Sequence, residues 1–182
     1  MSGDALARAG RPGAAPRGGH GAAERSTEEI VERFRRAYDE RDVEGALGLL
    51  ADDAVWVVAP GAFKGKEGVR RVLEWDARLS PTARTRPSGI GLLVKDDVAV
   101  NETVIEETFE GVRCEYPCLT VFELDEDRKI RRMRSYYEKL GIMQQIAMRY
   151  PGIKGWLFRK LVNLVVAQGE KGLDRSGVTD RA

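Results

Sequence analysis

Five side chains in this chain could be arranged for acid–base chemistry: the carboxyls of Asp76 and Glu107 and the phenols of Tyr38, Tyr116 and Tyr137. Glu107 belongs to a strand-like run in which Asn101, Thr103, Ile105 and Glu107 share one face. On that face it is the one carboxyl among apolar and weakly polar neighbours. Such surroundings raise a carboxyl pKa and suit a general acid or base. The plainer alternative is a rim residue paired with a surface arginine. Asp76 falls two helical turns after Val69 on the apolar stripe of a helix, so it would point to the same interior. Its alternative is a boundary residue paired with Arg78 or Arg84. The tyrosines would serve as wall residues or as hydrogen-bond donors to a developing oxyanion.

The composition excludes other chemistries. The single histidine, His20, lies in an N-terminal stretch rich in Gly, Ala, Arg and Pro. A zinc site, a Ser-His-Asp triad and a Cys-His pair therefore lack their histidine, and no metal or cofactor is expected. Ser135, with no base to activate it, reads as a wall hydroxyl. Cys114 and Cys118 would lie ~13 Å apart on one strand, beyond the ~7 Å that a disulfide spans. Lys plus Arg number 30 and Asp plus Glu 29, which gives no basic field for nucleic acid. No secretory apolar stretch and no apolar run near ~20 residues is present, so a cytoplasmic protein is expected.

The elements that would position these groups follow from periodicity. Residues 1–25 carry few large apolar side chains and are expected to be a disordered tail. Ser26 and Glu29 form a capping box, followed by Ile30, Phe34, Ala37 and Tyr38 at helical spacing. Asp42 can cap a short second helix. A strand over Ala54–Val58 ends at Pro60-Gly61, and a third helix is expected over 66–79. Strand-like runs follow at 84–95, 97–109, 112–124 and 128–138, with turns at Asp96-Asp97, Gly111 and Asp125-Glu126-Asp127. This is an α+β layout, three helices packed on a curved antiparallel sheet. A helix near 140–149 closes a domain over 26–149. An amphipathic helix over 150–168 and a tail over 169–182 complete the chain.

Several segments resemble one family. VNETVI at 100–105, EYPCLTVFEL at 115–124, RMRSYYEKL at 132–140 and ADDAVWVVAPGAFKGKEGV at 51–69 are similar to the limonene-1,2-epoxide hydrolase branch of the NTF2-like and SnoaL-like superfamily. The resemblance spans about residues 27–148. It implies a cone-shaped cup for one apolar small molecule, a fold that hosts unrelated functions. In those hydrolases an Arg, two Asp, a Tyr and an Asn hold and activate water. The corresponding positions here are Thr103, Ile105, Ser135, Trp56 and Val58, none of which matches. A register shifted by one residue would put Glu106 at the first Asp position. The resemblance thus implies the cup without that hydrolase mechanism.

If Thr103 and Ser135 face the cup, so do Asn101, Ile105 and Glu107, then Tyr116, Cys118, Thr120 and Phe122, then Met133 and Tyr137. With Trp56 and Val58 these form a substrate-binding wall for an uncharged, partly hydrophobic ligand. Glu102, Glu106, Glu115 and Glu123 fall on the other face, which would be solvated or would meet the partner of a homodimer. The expected function is cofactor-independent isomerisation, cyclisation or epoxide opening on a polyketide- or terpenoid-like molecule, with Glu107 or Asp76 as base and Tyr116 or Tyr137 as donor. The alternative is a non-catalytic binding or assembly module. The last helix, with Ile153, Trp156, Leu157, Leu161, Leu164 and Val165 opposite or beside Lys154, Arg159 and Lys160, would pack on its own domain or a dimer mate, cover the cup, or lie on a membrane surface.

Overall fold

A computed structural model describes residues 26–109, 111–169 and 171. The expected tails over 1–25 and 169–182 fall outside these residues, apart from Gly169 and Lys171. Helix α1 spans Thr27–Asp39, α2 Val43–Leu47, and α3 Gly65–Leu79. Strands β1 (Leu50–Val58) and β2 (Gly61–Lys64) lie between α2 and α3. Strands β3 (Ala83–Lys95), β4 (Val98–Phe109), β5 (Val112–Leu124) and β6 (Ile130–Tyr137) form the meander, and helices α4 (Lys139–Arg149) and α5 (Gly152–Gly169) follow.

Local chemistry starts the fold as the capping rules require. The Glu29 backbone N–H donates to Ser26 Oγ at 3.1 Å, and the Ser26 N–H donates to Glu29 Oε2 at 2.9 Å. Asp42 accepts from the Gly45 N–H at 2.9 Å and starts α2. Between the two helices Arg41 takes φ 58°, a left-handed conformation that non-glycine residues seldom adopt. That turn aims its guanidinium back between α1 and α3.

The six strands run in the order β2-β1-β6-β5-β4-β3. All neighbours are antiparallel except β1 and β6, which pair in parallel. The parallel pair brings the N-terminal strand beside the C-terminal one, so the helical layer and the meander share one interior. Strand β3 bulges between Pro87 and Leu92, where Gly89 and Gly91 take φ 53° and 63°. Such a bulge bends a strand and increases its twist. The predicted burial alternation holds along β4, where Ala99, Asn101, Thr103, Ile105 and Glu107 are buried and their neighbours are not.

The main core joins α1, α3 and the wide end of the sheet. Phe34 packs edge-on against Trp56 and Phe122, at centroid distances of 6.2 and 5.8 Å. A second cluster, with Ile105, Val112, Cys114 and Tyr116, packs against Ile142 of α4. Strand β6 ends at Tyr137, opposite Cys118, and α4 covers the edge of β5 beyond it. Gln145 accepts from the Glu115 N–H at 2.9 Å and donates to its carbonyl at 2.7 Å, as a neighbouring strand would. Helix α5 is held more lightly and buries only Gly155 and Val162. At Gly155 an added Cβ would meet the Tyr150 carbonyl oxygen at 1.9 Å. Gly155→Ala should therefore lift α5 from α4. We expect hydrogen exchange in α5 to rise by roughly tenfold or more while the melting temperature of the domain moves by less than ~4 °C, since little apolar area is lost.

Candidate functional site

The concave face of the sheet and helices α1 and α3 enclose a cavity of about 90 Å³. All ten residues expected to bind substrate line it. Trp56 and Val58 come from β1, Asn101, Thr103 and Ile105 from β4. Cys118, Thr120 and Phe122 come from β5, Met133 and Ser135 from β6. Asp76, Tyr116 and Tyr137 line it too. Glu107 does not; it sits behind the wall, 1 % exposed. Sequence periodicity left Phe34, Arg35, Val72, Trp75 and Thr85 out of the wall. Phe34 and Val72 were legible as core-stripe residues, whereas Thr85 depends on how β3 bends.

Glu107 and Asp76 meet through Tyr38. The Tyr38 hydroxyl lies 2.8 Å from Asp76 Oδ2 and 2.9 Å from Glu107 Oε1. The Tyr116 hydroxyl donates to Glu107 Oε2 at 2.9 Å. Arg41 donates to Asp76 Oδ2 at 2.8 Å and to the Ser80 carbonyl at 2.5 Å, and lies 3.5 Å from Glu107 Oε1. The partner of Asp76 is thus Arg41, not Arg78 or Arg84. Arg41 is also the cation nearest Glu107, and it is half-buried rather than on the open surface.

Counting protons decides the charge state. Two short oxygen–oxygen contacts converge on Tyr38 and each needs a hydrogen. The phenol supplies one, so a carboxyl must supply the other. Burial first, and then the charge of Asp76, push the Glu107 pKa up. Of the two carboxyls, Glu107 is the better carrier of that proton, being the more deeply buried, whereas Asp76 Oδ2 already accepts from Arg41. The phenols stay protonated as well: burial raises Tyr38, Tyr116 and Tyr137, with further contributions from the nearby carboxylates. The Glu107 proton therefore lies on Oε1 towards Tyr38, while Tyr116 gives its own hydrogen to Oε2. Asp76 uses Oδ2 for both bonds, which leaves Oδ1 for a ligand.

The far end of the cup is polar and uncharged. Trp56 donates its indole N–H to Ser135 Oγ at 3.1 Å, and Ser135 shares a 3.1 Å hydrogen bond with Thr120. Asn101, paired with Thr120 in the sheet, is 8 % exposed, and no group among the described residues hydrogen-bonds its carboxamide. A buried amide without a protein partner is an anchor for a ligand carbonyl or hydroxyl. Both cysteines are buried free thiols. Among the described residues no group of three or more His, Cys, Asp or Glu side chains could hold a metal ion.

A curved sheet wrapped by helices around one blind cup is the NTF2-like, ketosteroid-isomerase-like architecture. Residues 31–133 match the SnoaL-like domain model, and the chain belongs to that family. Solved structures agree in fold. An LEH-like epoxide hydrolase from M. tuberculosis superposes with a TM-score of 0.55 at 21 % identity, covering 77 % of this chain and 95 % of that one. A putative polyketide cyclase from Pseudomonas putida KT2440 gives 0.58 at 21 %, covering 66 % and 98 %. A putative SnoaL-like polyketide cyclase from Shewanella denitrificans OS-217 gives 0.62 at 10 %, covering 68 % and 98 %. No curated protein matches the chain in sequence.

The neutral-acid assignment has a pH signature. A carboxyl whose folded pKa is raised binds its proton more tightly in the folded state. The stability it contributes is complete below the ordinary value of 4.5 and is lost as pH rises through the folded pKa. Gln mimics the protonated acid and can keep both tyrosine bonds. Glu107→Gln should fold, flatten the decline in stability above pH 4.5, and equal or exceed wild type at neutral pH in urea titrations. An unchanged pH slope would assign the shared proton elsewhere.

Proposed function

We propose that the chain is a cofactor-independent acid–base catalyst that isomerises or cyclises an uncharged, largely apolar small molecule carrying a carbonyl. The observation that carries this reading is the Asp76–Tyr38–Glu107–Tyr116 array, in which Asp76, Tyr38 and Tyr116 line the cup and Glu107 backs them. Asp76 Oδ1 would remove a proton from carbon beside the carbonyl. The bond's electron pair moves to the carbonyl oxygen, which becomes an enolate. Tyr137 would donate a hydrogen bond to that oxygen, since the Tyr116 hydrogen is held by Glu107 Oε2. The protonated Asp76 then returns its proton to another carbon of the enolate, or the enolate carbon adds to a second carbonyl of the same molecule, whose π pair moves to its oxygen and takes the Asp76 proton. Glu107 touches neither the cup nor the ligand; it positions Tyr116 by accepting its hydroxyl hydrogen at Oε2. Asn101 would hold a second polar group of the ligand. The cyclases among the structural neighbours support the reading by likeness of fold.

Proton exchange at the α carbons of 2-tetralone in deuterated buffer, followed by NMR, tests the step. Wild type should accelerate exchange, and Asp76→Asn should lose ~10²–10⁴-fold. Equal rates in wild type, Asp76→Asn and buffer would favour the alternative, a module that binds ligand without turning it over. Limonene-type epoxides should give no diol above background, because Thr103, Ile105 and Ser135 supply no charged acid–base pair. Diol formation lost in Glu106→Gln would instead support the shifted register.

A further inference from the structure

Helices α4 and α5 carry a surface that the cup does not use. From Lys139 to Gly169 the cations are Lys139, Arg149, Lys154, Arg159 and Lys160, and there is no carboxylate, although Asp and Glu number 29 in the chain. Among the described residues none of these cations is ion-paired. Lys139, Arg149 and Arg159 donate to the carbonyls of Ala59, Arg113 and Tyr150.

Helix α5 turns Gly155 and Val162 towards α4. The opposite side carries Ile153, Leu157, Leu161 and Leu164, spaced by three or four residues in one stripe. Ile153 is 84 % exposed and Leu164 67 %. Lys154 flanks the stripe on one side. Trp156 flanks it on the other, with Lys160 Nζ 5.1 Å from its ring centre. Among the described residues no helix is long and apolar enough to cross a membrane.

We propose that this face of α5 lies on an anionic lipid surface. The leucine stripe enters the boundary between headgroups and acyl chains. Trp156 sits at the level of the headgroups, and Lys154 and Lys160 extend outward to lipid phosphates. Charge complementarity favours this occupant over a second copy. A two-fold symmetric contact would set this cation-rich, acid-free face against itself.

Co-sedimentation of the full chain with phosphatidylcholine vesicles, with and without phosphatidylglycerol, tests the proposal. Wild type should bind the anionic vesicles and release as salt rises. The Lys154→Glu, Lys160→Glu variant should bind them roughly tenfold more weakly or worse. The Leu157→Asp, Leu161→Asp variant should lose binding. Both should keep the wild-type melting temperature to within a few degrees, since Leu157 and Leu161 are mostly exposed and neither lysine is in the core. Absence of wild-type binding, or unchanged binding in both variants, overturns the proposal. So does a concentration-dependent dimer that Leu157→Asp, Leu161→Asp dissociates, which would show that a second copy covers the face.

Discussion

A single phenolic hydrogen lies between two carboxyls, and much of the architecture is organised around that shortage. Tyr38 is within hydrogen-bonding distance of both Asp76 and Glu107. If both were charged, one carboxylate oxygen would face a lone pair at short range in a buried site. An unpaired buried charge is far more costly than a neutral acid. Holding the proton on Glu107 removes the conflict and leaves one negative charge, on Asp76, balanced by Arg41. The array ties together α1, the α1–α2 turn, α3, β4 and β5, so the positions of these elements and the charge state depend on one another. The left-handed backbone at Arg41 belongs to the same constraint, since such conformations persist where surroundings hold them.

The sheet then separates two kinds of polarity. Four residues of β4, from Asn101 to Ile105 opposite Tyr116, divide the amide end from the acid end by ~13 Å. Thr103 and Cys118, facing each other across β4 and β5, fill the interval. On the proposed reading the ligand is a mostly apolar molecule with polar groups at both ends. The outer face is different in character. There Glu123 pairs with Arg134, and Glu106 and Glu115 pair with Arg113 and Arg86, as on a solvated surface.

Strand parity made the cup wall legible from sequence, because β4 and β5 alternate over most of their length, apart from Phe109 and Thr120. Parity gives a face, however, and not a depth. Glu107 shares the inward face with Ile105 yet lies beyond the cavity, because Tyr38 and Tyr116 close over it. Arg41 carried no periodic signal; only its turn conformation delivers it to Asp76. Strand β2 was missed because four residues after a Pro-Gly turn offer too short a pattern. The parallel joining of β1 to β6 is a long-range pairing that local alternation does not encode.

The protonation state of Glu107 is the central claim, and it can be observed directly. Difference infrared spectra between wild type and Glu107→Gln at neutral pH isolate the side chain's own carbonyl stretch. The account predicts a protonated carboxylic acid band that disappears in the variant and shifts in deuterated water. A band pair typical of an ionised carboxylate, with no acid band, would contradict it.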